Sequence, residues 1–132
     1  MTITLEKKYL EVLFQALRGT EGVLSLTEAR IRDLFFKQVT PALETFYEHR
    51  KKIYDQFCTK KEDGTPDIKN DLYTFPKDVV PEMQKEIDTL LVETVELTVP
   101  FADSIKKIIE RTEYKPKQGE AEMIDEIVAK IK

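Results

Sequence analysis

The chain has few of the residues on which small catalytic and metal sites depend. Among its 132 residues there is one cysteine, Cys58, and one histidine, His49. A single cysteine excludes an internal disulfide and a cysteine-rich metal site, so we interpret Cys58 as a small apolar residue of a helix. A triad or a histidine-based metal site would depend on His49, whose charged neighbours are typical of a solvated helix surface. The four glycines are scattered and form no phosphate-binding loop. We therefore expect that the protein is not an enzyme and that it binds no metal and no cofactor.

Long apolar runs and an excess of positive charge are also absent. No apolar stretch approaches the roughly 18 residues that suggest a membrane span, and residues 1–8 lack the apolar core of a signal peptide. We therefore expect a cytoplasmic protein without a membrane partner. The formal net charge is −4, which gives no overall attraction to nucleic acid, so bulk nucleic-acid binding is not expected. The length of the chain indicates a single domain, residues 1–132.

Apolar residues recur at helical spacing in much of the chain, most extensively from Ser25 to Lys61. Ser25 and Glu28 form a capping-box pattern at the start of this stretch, and Thr27 is a competing cap. Pro41 removes one helical hydrogen bond, so either one helix kinks there or a second helix starts with Thr40 as its cap. Both alternatives predict a bend in a long central helix.

The other segments predict shorter helices and a few strands. Residues 2–5 alternate as a strand or extended arm, and a helix from residue 6 ends at Arg18, with Gly19 as a left-handed C-cap.

The Asp63-Gly64 turn predicts a small hairpin or an ordered loop, for which the strand candidates are Ile68, Leu72, Tyr73 and Phe75. Asp78 is expected to cap the next helix. Residues 96–99 form the best strand, whose partner is either the N-terminal arm or the Tyr73–Phe75 segment, and two further helices start near residues 100 and 120.

These elements together predict the fold class. We expect an α+β protein that is predominantly α-helical, with a bent long central helix packed by amphipathic helices and a small strand or hairpin element.

Two arginines near the start of the long helix form the first candidate site. Arg30 and Arg32 lie close to a helix N-terminus, where free backbone amides favour anions. A planar guanidinium fork there could hold a phosphate or carboxylate. Ion pairing with Glu28 or Asp33 is the alternative.

Tyr47, Arg50 and Tyr54 form the second candidate site, in a cationic run that also contains Lys51 and Lys52. Aromatic residues interleaved with cations are typical of surfaces that stack a nucleic-acid base. The alternative is that the aromatic side chains at this spacing point into the core.

Five amphipathic segments in 132 residues suggest that the chain has more apolar surface than one compact copy buries. Phe35 and Phe36 point about 100° apart on a helix. We expect one of them in the core and the other on a contact surface, within this fold or in a homo-oligomer. Self-association is the favoured interpretation.

Four segments of the chain resemble a family of small proteins of tailed bacteriophages that has no assigned function. These are the entry to the long helix at 26–30, its exit from Tyr54 to Gly64, the helix and strand at 86–97, and the closing helix at 119–122. The resemblance implies a phage-encoded accessory protein in the host cytoplasm. It implies no reaction and supplies no site residues.

The functional hypothesis that follows is a non-enzymatic binding protein. We expect it to sequester or inhibit a host factor, either a host protein or a small anionic ligand such as a nucleotide signal, as counter-defence proteins do. A virion-assembly or scaffolding factor is the alternative. A small metal-dependent hydrolase is less favoured, because no carboxylates stand at the required spacing.

Overall fold

The structure is a computed structural model that describes residues 1–131. Within these residues it confirms a predominantly helical α+β protein with a long central helix and a small antiparallel sheet. The elements in chain order are β1 (Thr2–Glu6), a 3-10 turn (Lys7–Tyr9), α1 (Leu10–Arg18), α2 (Leu26–Phe57), β2 (Ile68–Lys69), β3 (Leu72–Tyr73), α3 (Val80–Val92), β4 (Thr94–Thr98), α4 (Ala102–Glu110) and α5 (Glu120–Lys130).

The chain folds as two compact units. Unit 1 contains Met1–Glu44 and the chain from Thr94 onward, and unit 2 contains Thr45–Glu93. In unit 1, β1 pairs antiparallel with β4, with Ile3 opposite Leu97 and Leu5 opposite Val95. The side chains of Ile3, Leu5 and Leu97 are buried, whereas those of Thr2, Thr4, Glu96 and Thr98 beside them are exposed, as expected for a sheet with one face on the core. The N-terminal arm is therefore the partner of the predicted strand.

The end of α1 explains the position of Gly19. The residue follows the helix as predicted, but the left-handed cap is wrong, because its φ is −68°. A Cβ atom at this position would lie 2.4 Å from Thr112 Oγ1 and 2.7 Å from the backbone nitrogen of Tyr114. Gly19 is therefore required by a close approach of two chain segments, and the positive φ falls at Gly22 instead.

Helix α2 is continuous from Leu26 to Phe57, with Pro41 inside it. Its predicted capping box is present: the Ser25 amide donates to Glu28 Oε1 at 3.0 Å, and the Glu28 amide donates to Ser25 Oγ at 3.3 Å. Of the adjacent phenylalanines, Phe35 is fully buried. Phe36 is half-buried, and its ring packs on Phe14 with centroids 4.8 Å apart.

In unit 2 the hairpin forms one turn later than the Asp-Gly signal indicated. Strands β2 and β3 are joined by Asn70 and Asp71, whose φ angles are 52° and 61°, as a type I′ turn requires. The Asp63-Gly64 segment is an ordered turn, closed by a 2.8 Å hydrogen bond from the Lys61 amide to the Thr65 carbonyl. The predicted Asp78 cap is wrong, because Val79 precedes α3 and no side chain caps it.

Candidate ligand site

Three of the five predicted site residues line one cavity in unit 2. Tyr47, Arg50 and Tyr54 stand at positions i, i+3 and i+7 of α2, so they share one face of the helix. With Lys51 they form one side of a cavity of about 450 Å³, and the hairpin segment forms the other with Asp71, Leu72, Tyr73 and Phe75. This volume lies within the range of about 300–1,000 Å³ that is usual for small-molecule sites.

Three aromatic rings form a wall of this cavity. The centroid of Tyr54 lies 5.6 Å from that of Tyr73 and 5.7 Å from that of Phe75. Tyr73 and Phe75 are stacked, with centroids 6.0 Å apart and ring planes 20° from parallel. All three side chains are half-buried, so part of each ring remains accessible. The wall thus offers an apolar surface on which a planar ring can stack.

The guanidinium group of Arg50 lies against aromatic rings and has no acidic partner among the residues that the structure describes. Its central carbon lies 4.8 Å from the ring centroid of Tyr47 and 5.6 Å from that of Phe46. Within residues 1–131, Arg50 makes no ion pair and donates no hydrogen bond. Cation–π contacts fix the position of the group without using its N–H donors. These donors are therefore available to an anion in the cavity.

Asp55 fastens the hairpin to α2 beside the cavity. It accepts a 2.6 Å hydrogen bond from the Tyr73 hydroxyl and forms a 3.0 Å ion pair with Lys51, and its backbone carbonyl accepts a hydrogen bond from Lys60. The Tyr73 bond first, and then Lys51, lower the pKa of Asp55. The same bond raises the pKa of Tyr73 to about 12. Asp55 thus offsets the charge of Lys51, whereas no carboxylate of residues 1–131 forms an ion pair with Arg50.

The other two predicted residues belong to unit 1. Arg32 donates to Asp33 Oδ1 from Nε and Nη2 at 3.1 and 3.0 Å, and from Nη1 to Thr20 Oγ1 at 3.4 Å. This is the ion pairing that was the alternative to an anion site. Arg30 is exposed, and within the described part of the chain it has no ion pair or hydrogen bond.

The hairpin side of the cavity is the part that the sequence reasoning missed. Leu72, Tyr73 and Phe75 were recognised only as weak strand candidates, and Asp71 was not among the five predicted site residues. The Asn70-Asp71 pair was an available signal, because these residue types tolerate the positive φ of a type I′ turn. Such a turn places Tyr73 and Phe75 on one side of the returning chain by strand alternation.

His49 is exposed, as predicted, and lines a shallow groove with Lys52 and Glu86. Among residues 1–131, no three histidine, cysteine or carboxylate side chains are grouped in a way that would hold a metal ion. None of the helices in this range combines the length and the apolar character needed to cross a bilayer.

In comparisons with protein families, with curated proteins and with solved structures, nothing matches this chain.

Proposed function

We propose that this protein is a non-enzymatic binding protein that retains a small anionic ligand with a planar ring, such as a nucleotide, in the cavity of unit 2. The observation that carries the proposal is the guanidinium group of Arg50, which aromatic contacts hold at the cavity with its donors unused within residues 1–131. A fixed and uncompensated arginine beside an aromatic wall suits a ligand that has an anionic group next to a flat ring.

The aromatic wall and Arg50 would contribute comparable amounts of binding free energy. Stacking of one base on aromatic side chains is worth about 1–3 kcal/mol. A hydrogen bond to a charged group contributes about 1.5–3 kcal/mol, and the half-exposed position of Arg50 favours the lower end. Because the wall and the arginine are already in place, little ordering of side chains opposes binding.

Sequestration supplies a biological role without catalysis. A protein that holds a ligand unchanged lowers its free concentration in proportion to the number of sites. The resemblance to phage accessory proteins supports a host nucleotide signal as the ligand and the host cytoplasm as the place of action. In this role the protein would counter a host defence.

The test combines ligand recovery with a matched pair of variants. Purified protein is incubated with a mixture of ribonucleotides, desalted and denatured, and the released compounds are identified by mass spectrometry. Calorimetric titration then compares wild type with Arg50→Gln and with Arg30→Gln, which removes an exposed arginine outside the cavity.

We expect at least one nucleotide to be recovered unchanged, and Arg50→Gln to weaken its binding at least about tenfold, whereas Arg30→Gln has no effect. Equal affinity of the two variants would remove Arg50 from the site. Recovery of a chemically altered nucleotide would replace sequestration with catalysis.

A further inference from the structure

Among the residues that the structure describes, Asp71 is the only acidic one that lines the cavity between α2 and the hairpin of unit 2. It occupies the second central position of the hairpin turn, with a φ of 61°. Because the type I′ turn fixes this backbone conformation and the side chain is short, the carboxylate stays near the rim of the cavity.

Asp71 and Arg50 line the same cavity, and within residues 1–131 no ion pair joins them. Within residues 1–131 the Asp71 carboxylate makes no ion pair and accepts no hydrogen bond. Lys51, the other cation of the lining, is paired with Asp55. The cavity therefore presents one uncompensated cation from α2 and one uncompensated anion from the hairpin, with the aromatic wall as their common surface.

These two charges define the polarity of a complementary ligand. A carboxylate has two acceptor oxygens and, when ionised, no donor. The ligand therefore needs an anionic group for Arg50 and a pair of adjacent hydrogen-bond donors for Asp71, separated by a ring that stacks on the wall. Among the bases, guanine has adjacent N–H donors on its pairing edge. Adenine has a ring nitrogen acceptor beside its amino group, and that acceptor would face a carboxylate oxygen.

We propose that Asp71 makes the site selective for guanine nucleotides by accepting both donors of the guanine edge. This inference rests on the proposed function, since it requires that a nucleotide binds beside Arg50. The vicinal hydroxyls of ribose are the other part of a nucleotide that offers paired donors, so the experiment must separate the two.

The experiment measures the affinities of GMP, IMP, AMP and 2′-deoxy-GMP by calorimetric titration. IMP lacks the guanine amino group, and 2′-deoxy-GMP lacks the vicinal hydroxyl pair. The proteins are wild type, Asp71→Asn, Asp71→Gly and the control Asp67→Asn. Asparagine and glycine both accept a positive φ, so the turn is retained. Asp67 lies on the approach to the same hairpin but does not line the cavity.

We expect wild type and Asp67→Asn to bind GMP and 2′-deoxy-GMP about tenfold more tightly than IMP and AMP. Asp71→Asn and Asp71→Gly should bind GMP about tenfold more weakly and no longer distinguish it from AMP. Weaker binding of 2′-deoxy-GMP alone would assign the donors to ribose and overturn the guanine preference.

Failure of this inference can be told apart from failure of the proposed function. If both Asp71 variants bind all four nucleotides as wild type does while Arg50→Gln still loses affinity, the role of Asp71 is overturned and the binding site stands. If wild type binds none of the four nucleotides, the proposed function and this inference fall together.

Discussion

Tyr73 contributes to unit 2 in two ways, through its ring in the cavity wall and through its hydroxyl bond to Asp55. Tyr73→Phe keeps the ring and removes the bond. We expect a loss of about 1 kcal/mol in the free energy of unfolding at pH 7, because a bond to a carboxylate is lost at a half-exposed position. Urea denaturation measures this loss. Tyr54→Phe is the matched control, since the Tyr54 hydroxyl makes no hydrogen bond within residues 1–131, and it should change stability by less than about 0.5 kcal/mol.

The same bond predicts how the effect of Tyr73→Phe depends on pH. The folded-state pKa of Asp55 is lowered from 3.8, so its contribution is present above that value and is lost as the pH falls through the lowered pKa. The pKa of Tyr73 is raised from 10.0 to about 12, so its contribution is present below 10 and is lost as the pH rises toward 12. The stability difference between wild type and Tyr73→Phe should therefore be largest between about pH 4 and pH 10. A difference that stays constant from pH 2 to pH 7 would contradict the ionic character of this bond.

Gly19 and Gly22 can be compared with one substitution. At Gly19 the atoms that a new side chain would meet are immobilised, because Thr112 Oγ1 donates to the Ala16 carbonyl and the Tyr114 amide donates to Thr112. Gly19→Asn should therefore cost about 2 kcal/mol or more in the free energy of unfolding. Gly22 has a φ of +83° and nothing near its Cβ position, and asparagine tolerates this conformation. Gly22→Asn should leave the free energy of unfolding nearly unchanged, as measured by urea denaturation. If Gly22→Asn were instead the more destabilising of the two substitutions, the left-handed conformation would have to be assigned to Gly19.

At the scale of the secondary-structure elements, the start of α2 allows a test of its two candidate caps. Ser25 and Glu28 exchange backbone and side-chain hydrogen bonds, and Glu28 is also bound by Arg111. Ser25→Ala removes the acceptor for the Glu28 amide and should lower the free energy of unfolding by about 1 kcal/mol. Thr27→Ala is the control. Thr27 is an exposed first-turn residue of the helix, where alanine is the better helix former, so thermal denaturation should show no loss.

Elements with a strong local pattern, including the α2 side of the cavity, could be predicted from the sequence, and the hairpin side of the cavity could not. The stripe of α1 and the capping box of α2 depend on residues within one or two helical turns, so spacing alone reveals them. The aromatic wall depends on contact between Tyr54 and Tyr73, which are brought together by two consecutive turns. The Asp63-Gly64 turn gave the stronger signal of the two, but its flanks form a single bridge, while the weaker Asn70-Asp71 signal joins β2 and β3. Strand pairing depends on the flanking residues as much as on the turn, so a local signal could not rank these alternatives.

The continuity of α2 is a second case in which tertiary context decided the outcome. Proline in a helix interior costs about 3 kcal/mol, which is why a new helix at Thr40 was one of the two expectations, beside a kink in a single helix. On both sides of Pro41, however, the buried residues Phe35, Val39, Leu43 and Phe46 keep helical spacing. Burial of one continuous stripe offsets one missing hydrogen bond, because each large apolar side chain contributes about 1.5–3 kcal/mol. The apolar periodicity on both sides of Pro41 therefore predicted the continuity of α2 better than the presence of the proline did.

At the scale of the whole molecule, apolar burial is distributed very unevenly between the two units. In unit 2 the buried apolar residues of the described chain are Phe46, Cys58, Met83 and Leu90, and all the others belong to unit 1. Many of the remaining contacts of unit 2 are half-exposed aromatic and polar ones, such as the Tyr54 wall and the Asp55 bonds. Because local stability follows buried apolar area, unit 2 should open at a lower free energy than unit 1.

Native-state hydrogen exchange tests this expectation and the location of the proposed ligand site in one experiment. In the free protein, hydrogen-bonded amides of β3 and the second half of α2 should exchange at least about tenfold faster than those of α1. A ligand that binds only the folded form of unit 2 stabilises that unit by mass action. Addition of a saturating nucleotide should therefore slow exchange in residues 45–93 and leave α1 unchanged. Slowing confined to residues 26–44 would instead place the anion beside Arg30 and Arg32, and uniform exchange in the free protein would contradict the uneven distribution of stability.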